Sequence, residues 1–356
     1  LPAIDWDAGP FHLPRAPQPW LRDRAEGPRV AAVSSAGLDG TCQHLVLEGF
    51  EHAPSDHRAE RARPLGERAA ALFVVQGEGE AALRRRIEEL RARVRAGGPL
   101  EAIAAAWWRA HGVRPGLPTR AFVAGDREEL LRALDRPGAP PAPIGGDVAF
   151  VYPGSGNHYL GMGVGLGLAF PEPIRALDQT TGQLRTQTMP AWYAPWLCTW
   201  TEAAEREAAR RLAAEPARMM LGQVAHGIAS TAVLRALGLR PQAAIGYSLG
   251  ESAALFSIGA WRDRDGMFAR TMETPLFREE LAGRLEAARR AWGVAAWHVA
   301  VVNRPAEEVR ARLRGSAALL IVNAPGECVI GGSPDDVRAT IDALGCEALP
   351  IEGVPA

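Results

Sequence analysis

The pattern of apolar and polar residues predicts a small α/β domain in the first half of the chain. Its elements follow the order β-α-α-β-α and are predicted at residues 70–75, 78–96, 100–110, 119–124 and 126–134. The first helix has a single apolar stripe at helical spacing, formed by Leu83, Ile87, Leu90 and Val94. Asp126 is predicted to be the N-cap of the last helix.

The second half of the chain contains two apolar strands, at residues 148–152 and 243–245, and each is followed by a glycine-rich stretch. An apolar helix at 219–237 leads to the second strand and is predicted to be buried, and a charged helical region follows at 259–287. From residue 297 onward, six elements in the order β-α-β-β-α-β predict a ferredoxin-like unit.

Composition excludes several function classes. With 356 residues, 47% of them hydrophobic and 23% charged, the chain is expected to form two or three globular domains. A net charge of −1 gives no basic surface for nucleic acid, and neither a membrane-length apolar run nor a signal peptide is visible. The four cysteines are far apart in sequence, which favours reduced thiols in the cytoplasm over disulfides or a zinc site.

The stretch with the clearest chemical signal is Gly-Tyr-Ser-Leu-Gly at residues 246–250, between a predicted strand and a predicted helix. This context is that of a nucleophile elbow, in which a sharp turn exposes the serine oxygen. Ser248 is then the candidate nucleophile. The N–H of Leu249, at the helix start, is a candidate oxyanion donor. The alternative is an ordinary β–α turn in which the serine has no role.

A second glycine-rich loop, with Gly154, Ser155 and Gly156, follows the strand at 148–152. Glycines leave backbone N–H groups free to face a cleft. A phosphate-binding loop is disfavoured because neither Gly-Lys-Ser/Thr nor Gly-x-Gly-x-x-Gly is present. We therefore expect the Ser155 N–H to be the second oxyanion donor.

Three segments resemble, in the family's order, motifs of malonyl-CoA:acyl carrier protein transacylases and polyketide synthase acyltransferase domains. Residues 150–158 (Phe-Val-Tyr-Pro-Gly-Ser-Gly-Asn-His) resemble the Phe-Pro-Gly-Gln-Gly-Ser-Gln opening of the family. Residues 246–251 resemble its Gly-His-Ser-Leu-Gly-Glu elbow, and residues 322–332 its Asn-x-Pro…Val-Ile-Ser-Gly strand. The elbow, with Tyr247, is most similar to iterative synthases of the polyunsaturated-fatty-acid and glycolipid type.

The N-terminal region has a resemblance of its own. Residues 34–48, with Ser-Ser-x-Gly-x-x-Gly-Thr-x-x-His, predict a β-hairpin and resemble the last strands of a ketosynthase domain, in which His44 would be structural. Residues 53–146 resemble the linker domain between ketosynthase and acyltransferase.

The resemblance implies an α/β fold with four parts. These are a ketosynthase-like tail at 1–52, a linker domain at 53–146, an acyltransferase large subdomain at 147–295 and a ferredoxin-like small subdomain at 296–352. The large subdomain would have a hydrolase-like parallel-sheet core with the nucleophile elbow, and the ferredoxin-like unit would be inserted in it.

The activity implied by the resemblance is ping-pong acyl transfer. Ser248 would accept an acyl group from acyl-CoA, malonyl-CoA by family default, and pass it to the phosphopantetheine thiol of an acyl carrier protein. No bound cofactor or metal is implied. The implied partners are the carrier protein and the ketosynthase domain of the same polypeptide, with homodimerisation through the ketosynthase, and neither nucleic acid nor a membrane.

The chain also departs from the family at the implied substrate-binding positions. Ser155 and His158 stand where glutamines are usual, and Glu273 stands where the family has the arginine that binds a malonyl carboxylate. Arg270, one turn earlier, replaces that arginine only if the helix register shifts. Neutral acyl groups are therefore the alternative to malonyl.

Tyr247 in the elbow and Asn323 in the third motif complete the set of predicted substrate-binding residues. The family's histidine base follows the last strand of the small subdomain, and we expect it beyond Ala356. Two other functions stay open at this point. One is a serine thioesterase or other hydrolase, and the other is a non-catalytic acyltransferase-like scaffold that docks a carrier protein.

Overall fold

The computed structural model describes residues 17–50, 69–136, 146–188, 201–281 and 283–351. The chain divides into two compact units, Gly66–Gly146 and a second unit that combines Leu1–Leu65 with Asp147–Ala356. The sequence also predicts a linker at 53–66 and a Pro-rich connection at 137–146, and of these, residues 53–66 and 137–145 lie outside the described residues. None of the helices in the described ranges is both long and apolar enough to span a bilayer.

The N-terminal part of the second unit is a β-hairpin, as its sequence predicts. Strands β1 (Val30–Ala36) and β2 (Cys42–Glu48) pair antiparallel. On this hairpin, His44 Nδ1 is hydrogen-bonded to Ser34 Oγ at 2.7 Å. The segment before the hairpin is tied to residues far along the chain, because Arg29 forms a 2.8 Å ion pair with the buried carboxylate of Asp178.

The unit Gly66–Gly146 has the predicted β-α-α-β-α order. Its elements are β3 (Ala71–Gln76), α1 (Glu80–Arg95), α2 (Leu100–His111), β4 (Thr119–Ala124) and α3 (Arg127–Asp135). The two strands pair antiparallel, and the predicted stripe of α1 is buried against them. Asp126 caps α3, since its carboxylate accepts a 2.8 Å hydrogen bond from the Glu129 N–H. These sequence predictions are confirmed.

The large part of the second unit is built on a parallel pair of strands, β5 (Ala149–Tyr152) and β6 (Ala243–Gly246). Between them in sequence, the described residues form the helices α4 (Val164–Ala169), α5 (Pro171–Thr180), α6 (Leu184–Thr188), α7 (Glu202–Ala214) and α8 (Pro216–Ala236). The sequence pattern predicts the apolar helix α8 but not the three short helices α4 to α6. A ninth helix, α9 (Leu249–Ser257), follows β6 and packs against α8 around Tyr152, Val224 and Phe256.

The charged region 259–287, predicted to be helical, is divided into separate helical segments. Helix α10 (Arg264–Glu273) begins at Asp263, whose carboxylate accepts a 2.7 Å hydrogen bond from the Gly266 N–H. It ends before Pro275, which has no N–H to continue a helix. A single turn of π-helix (Leu276–Glu280) and helix α11 (Glu286–Trp292) follow.

The last elements form a four-stranded antiparallel sheet covered by two helices. They are β7 (His298–Val302), α12 (Ala306–Arg312), β8 (Ala318–Ala324), β9 (Glu327–Gly332), α13 (Pro334–Leu344) and β10 (Ala348–Ile351). The strand order is β10-β7-β9-β8, so the first and third strands are central, as in a ferredoxin-like unit. We call this part the small subdomain. The core between its sheet and helices includes Val302, Ile330 and Val337.

Candidate active site

Ser248 occupies a strained turn between β6 and α9. Its backbone has φ 52° and ψ −118°, and it is one of two non-glycine residues with positive φ in the described ranges. Such a conformation costs about 1–3 kcal/mol and persists only where the surroundings enforce it. The residue is exposed and forms the N-terminal boundary of α9. This is the strand–turn–helix geometry predicted from the sequence.

Two glycines let the strand and the helix approach each other around Ser248. A Cβ on Gly246 would collide with the backbone of Gly250 and Glu251. A Cβ on Gly250 would collide with the carbonyl of Tyr152 and lie 2.8 Å from the Pro153 oxygen. Because the colliding atoms belong to the backbone, side-chain rotation cannot relieve either clash.

In the described residues, the start of α9 leaves the Leu249 N–H free beside Ser248. The N–H groups of Gly250 and Glu251 donate to the carbonyls of Tyr247 and Ser248, at 2.8 and 2.9 Å. The Leu249 N–H has no such acceptor in the described parts of the chain. An unpaired N–H in the first turn, at the positive end of the helix dipole, can stabilise an anion.

The loop after β5 reaches the same edge of the sheet, because β5 and β6 are parallel and Tyr152 is in register with Gly246. A Cβ on Gly154 would lie 2.8 Å from the ring of Tyr247, so this loop lies directly against the elbow. Gly156 has φ +95° and faces Ile351 of β10. The structure thus brings the loop of Gly154, Ser155 and Gly156 to the elbow.

The carbonyl of Gly154 is held by two side-chain amides. Gln223 of α8 donates to it from Nε2 at 3.1 Å, and Asn157 donates from Nδ2 at 3.0 Å. Gln223 was not among the site residues predicted from the sequence. The sequence did show a polar residue inside the apolar pattern of α8. Because its hydrogen-bond partner is 69 residues away in the chain, the pattern did not indicate what this residue contacts.

Tyr247 connects the elbow to the small subdomain. Its hydroxyl donates to Asn323 Oδ1 of β8 at 2.9 Å, and Asn323 Nδ2 in turn donates to Glu327 at 2.9 Å. The structure therefore brings together two of the residues predicted to bind substrate, although they are 76 positions apart.

Two histidines belong to this region. His158, on the loop after β5, is half-buried, and its Nδ1 has no hydrogen-bond partner in the described ranges. Burial lowers the pKa of His158, so the ring is neutral at pH 7. Burial also lowers the pKa of His226, whose Nδ1 donates to the Gly222 carbonyl at 2.6 Å inside α8. The ring of His226 is therefore hydrogen-bonded within its own helix.

Arg270 and Glu273 are exposed in the last turn of α10. In the described parts of the chain, neither side chain is joined to the elbow by a hydrogen bond or an ion pair. By contrast, Arg264 at the start of α10 is buried, and burial lowers its pKa to about 10. Arg264 donates to Gln187 at 3.0 Å and belongs to a separate polar cluster with Asp265.

Comparisons with known proteins agree with this geometry. Residues 218–352, which include the elbow and the small subdomain, match the family model described as acyl transferase domain. Mycoketide-CoA synthase of Mycobacterium tuberculosis is 30% identical over 96% of this chain, and polyketide synthase GfsE of Streptomyces halstedii is 29% identical over 99%. The chain spans only 8% and 9% of the length of these two relatives.

Solved acyltransferase domains share the fold. The acyltransferase domain of SpnD, in complex with 2-(pent-4-yn-1-yl)malonyl, superposes with a TM-score of 0.55 at 22% identity, covering 82% of this chain and 66% of the other. The acyltransferase domain of ZmaA gives a TM-score of 0.57 at 17% identity, covering 81% of this chain and 66% of the other. The matched family model and the polyketide synthase relatives support the assignment of this chain to the acyltransferase domains of polyketide synthases.

Proposed function

We propose that this chain transfers an acyl group from acyl-CoA to the phosphopantetheine thiol of an acyl carrier protein, through an acyl-Ser248 intermediate, in polyketide or fatty-acid biosynthesis. The observation that carries the proposal is the strained, exposed turn at Ser248, next to a free N–H at the start of α9. Strain of this kind is common at nucleophile elbows, where it presents the serine oxygen to the substrate.

The reaction has two half-steps. A base removes the Ser248 proton, the serine oxygen attacks the thioester carbonyl, and the resulting oxyanion collapses with release of CoA. The carrier protein's thiol then attacks the serine ester, and Ser248 leaves with its proton restored. In both half-steps we assign the developing oxyanion to the N–H groups of Leu249 and Ser155. Loss of one such donor typically slows acyl transfer by about 10²–10³-fold.

The proton acceptor is a separate question. In the described residues no histidine side chain is hydrogen-bonded to Ser248, and His226 Nδ1 donates to the Gly222 carbonyl inside α8. His158 is neutral and lies on the loop after β5, so the variant His158→Gln tests directly whether His158 is the base. We expect acylation of Ser248 to be preserved within about threefold in the natural full-length polypeptide, because the base is proposed to follow β10 in sequence. A loss of two orders of magnitude would instead identify His158 as the base.

The proposed acyl class is malonyl, with a neutral acyl group as the alternative. One of the fold neighbours was solved with a malonyl derivative. In this chain Glu273 stands at the position of the family's arginine and would repel a substrate carboxylate, and Arg270 replaces that arginine only if the helix register shifts. Loading of Ser248 should be compared for malonyl-CoA and acetyl-CoA in Arg270→Ala and Glu273→Ala variants. Malonyl preference that survives Arg270→Ala would show that another cation binds the carboxylate.

A single experiment separates transfer from the two alternative functions. The natural full-length polypeptide is incubated with malonyl-CoA or acetyl-CoA, and the adduct is located by mass spectrometry of the Ser248 peptide. A persistent adduct that passes to a phosphopantetheinylated carrier protein supports transfer. Rapid release of free acid would indicate a hydrolase, and no adduct would indicate a scaffold. Ser248→Ala is the control, and an adduct on that variant would refute the assignment of the nucleophile.

The proposed partners follow from the same reaction. The second half-step needs an acyl carrier protein, and the relatives are polyketide synthases of which this chain spans less than a tenth. We also propose that a ketosynthase domain lies in the same polypeptide and that the protein dimerises through that domain.

A further inference from the structure

Gln223 is a buried polar residue in the middle of α8. Its side chain is 7% exposed, and its Nε2 reaches out of the helix to the carbonyl of Gly154 at 3.1 Å. It lines a cavity of about 540 Å³ whose wall also includes Asn157 and Leu249, the residue after Ser248.

Stability alone does not account for an amide at this position. The Oε1 atom of Gln223 is buried and has no hydrogen-bond partner in the described ranges. A buried acceptor without a partner is destabilising, and an apolar side chain of similar size would avoid that cost. The property that only the amide supplies here is the N–H group that holds the Gly154 carbonyl.

Holding that carbonyl fixes the direction of the neighbouring N–H. The peptide bond between Gly154 and Ser155 is planar and trans, so its C=O and N–H point in opposite directions. Because Gln223 draws the carbonyl towards α8, the Ser155 N–H must point away from α8. Asn157 occupies a second position on the same oxygen, so the peptide plane has little freedom to rotate.

We propose that Gln223 is a positioning residue that, with help from Asn157, aims the Ser155 N–H into the oxyanion hole. The inference rests on the proposed function, because it assigns a role in stabilising the oxyanion at acyl-Ser248. Gln223 acts through the backbone and does not touch the substrate. Without its N–H, the loop peptide can rotate, and the donor no longer meets the oxyanion at the distance that the transition state requires.

The test compares Gln223→Met with a matched control in the natural full-length polypeptide. Methionine keeps the length of the side chain and removes the donor. The control is Gln187→Met, because Gln187 is also buried and hydrogen-bonded through its amide, but to Asp265 and Arg264. Both variants lose a buried amide, and only one of them loses a contact to the loop. Asn157→Ala is a third variant, and since Asn157 is exposed, its replacement leaves the core intact.

Two measurements distinguish positioning from a structural role. The first is acylation of Ser248 by malonyl-CoA and acetyl-CoA, analysed for kcat and KM separately. We expect Gln223→Met to lower kcat by about 10- to 100-fold with KM changed less than about threefold, since the lost interaction is made in the transition state. The second is inhibition by butylboronic acid, whose tetrahedral adduct with a serine oxygen places an anionic oxygen in the oxyanion hole. Its affinity should fall by a similar factor.

The outcomes separate this inference from the proposed function. If Gln223→Met acylates Ser248 at the wild-type kcat, the inference is wrong and the proposed function stands. It is also wrong if Gln187→Met loses kcat and boronate affinity to the same extent, because the effect would then be general destabilisation. If Gln223→Met does not fold, a selective loss of kcat in Asn157→Ala supports the inference and an unchanged kcat overturns it. A wild-type protein that never forms an adduct refutes both proposals.

Discussion

Replacing Gly250 by alanine adds one methyl group at the point where α9 comes closest to β5. The residue is buried, and the new Cβ would overlap the carbonyl of Tyr152 and lie 2.8 Å from the Pro153 oxygen. Both oxygens are backbone atoms at the end of β5, whose register with β6 holds them in place. The clash can therefore be relieved only by moving α9 away from the strand.

The expected losses of stability and of acylation rate follow from this geometry. Adding a methyl group to a well-packed site costs about 1–3 kcal/mol, and an overlap with fixed backbone favours the upper part of that range. A loss of this size lowers the melting temperature by on the order of 5 °C in a unit of this length. Displacement of α9 also moves the Leu249 N–H relative to the Ser155 loop, so we expect acylation of Ser248 to fall by about 10²-fold or more.

The assay is the rate of adduct formation on Ser248 with malonyl-CoA or acetyl-CoA, with thermal unfolding measured on the same samples. Gly165→Ala is the control, because Gly165 lies in α4 with no atom within 4 Å of its added Cβ. There alanine should be neutral or stabilising by up to about 1 kcal/mol. The reasoning is refuted if Gly250→Ala acylates at the wild-type rate with an unchanged melting temperature.

Three further predictions concern contacts outside the turn itself. Tyr247→Phe removes the hydroxyl that reaches Asn323, and we expect kcat/KM to fall about 2- to 10-fold, with no further loss in the double variant with Asn323→Ala. Hydrogen bonds from Ser316 and then Ser333 lower the pKa of Asp336, so its contribution to stability is complete above the ordinary value of 3.8 and is lost as the pH falls through the lowered folded-state pKa. The difference in urea midpoint between wild type and Asp336→Asn should accordingly be larger at pH 7 than at pH 3, and a constant difference would contradict this. Asp126→Ala should destabilise the unit Gly66–Gly146 by about 1 kcal/mol through loss of the α3 cap, as measured by chemical denaturation, and an unchanged midpoint would contradict it.

Much of the candidate site could be predicted from the sequence because its chemistry is local. Gly246, Ser248 and Gly250 lie within five residues, and the strand before them and the helix after them are each visible in the apolar pattern. The steric needs of a tight turn are set by neighbouring residues, so the elbow could be placed before any fold was known. The same holds for the Asp126 cap, which depends on a backbone N–H three positions away.

The predicted helical region 259–287 shows where the local pattern is insufficient, because the pattern did not give the ends of the helices within it. Charged residues suit a helix, yet Asp263 and Pro275 set the ends of α10 and confine it to ten residues. The short helices α4 to α6 were missed for a related reason. Helices of five to ten residues have too few turns to show an apolar period, and packing against the rest of the unit determines whether they form.

The sequence by itself determined the order of the strands and of most helices, the tight turn around Ser248 and the buried stripe of α1, because backbone sterics and side-chain period act over a few residues. Tertiary structure alone decided which distant groups meet. It placed Gln223 on the carbonyl of Gly154 and Tyr247 on Asn323, and it left Arg270 exposed at the end of α10. Contacts of this kind depend on how whole elements pack, and a residue's type does not specify its partner 69 or 76 positions away.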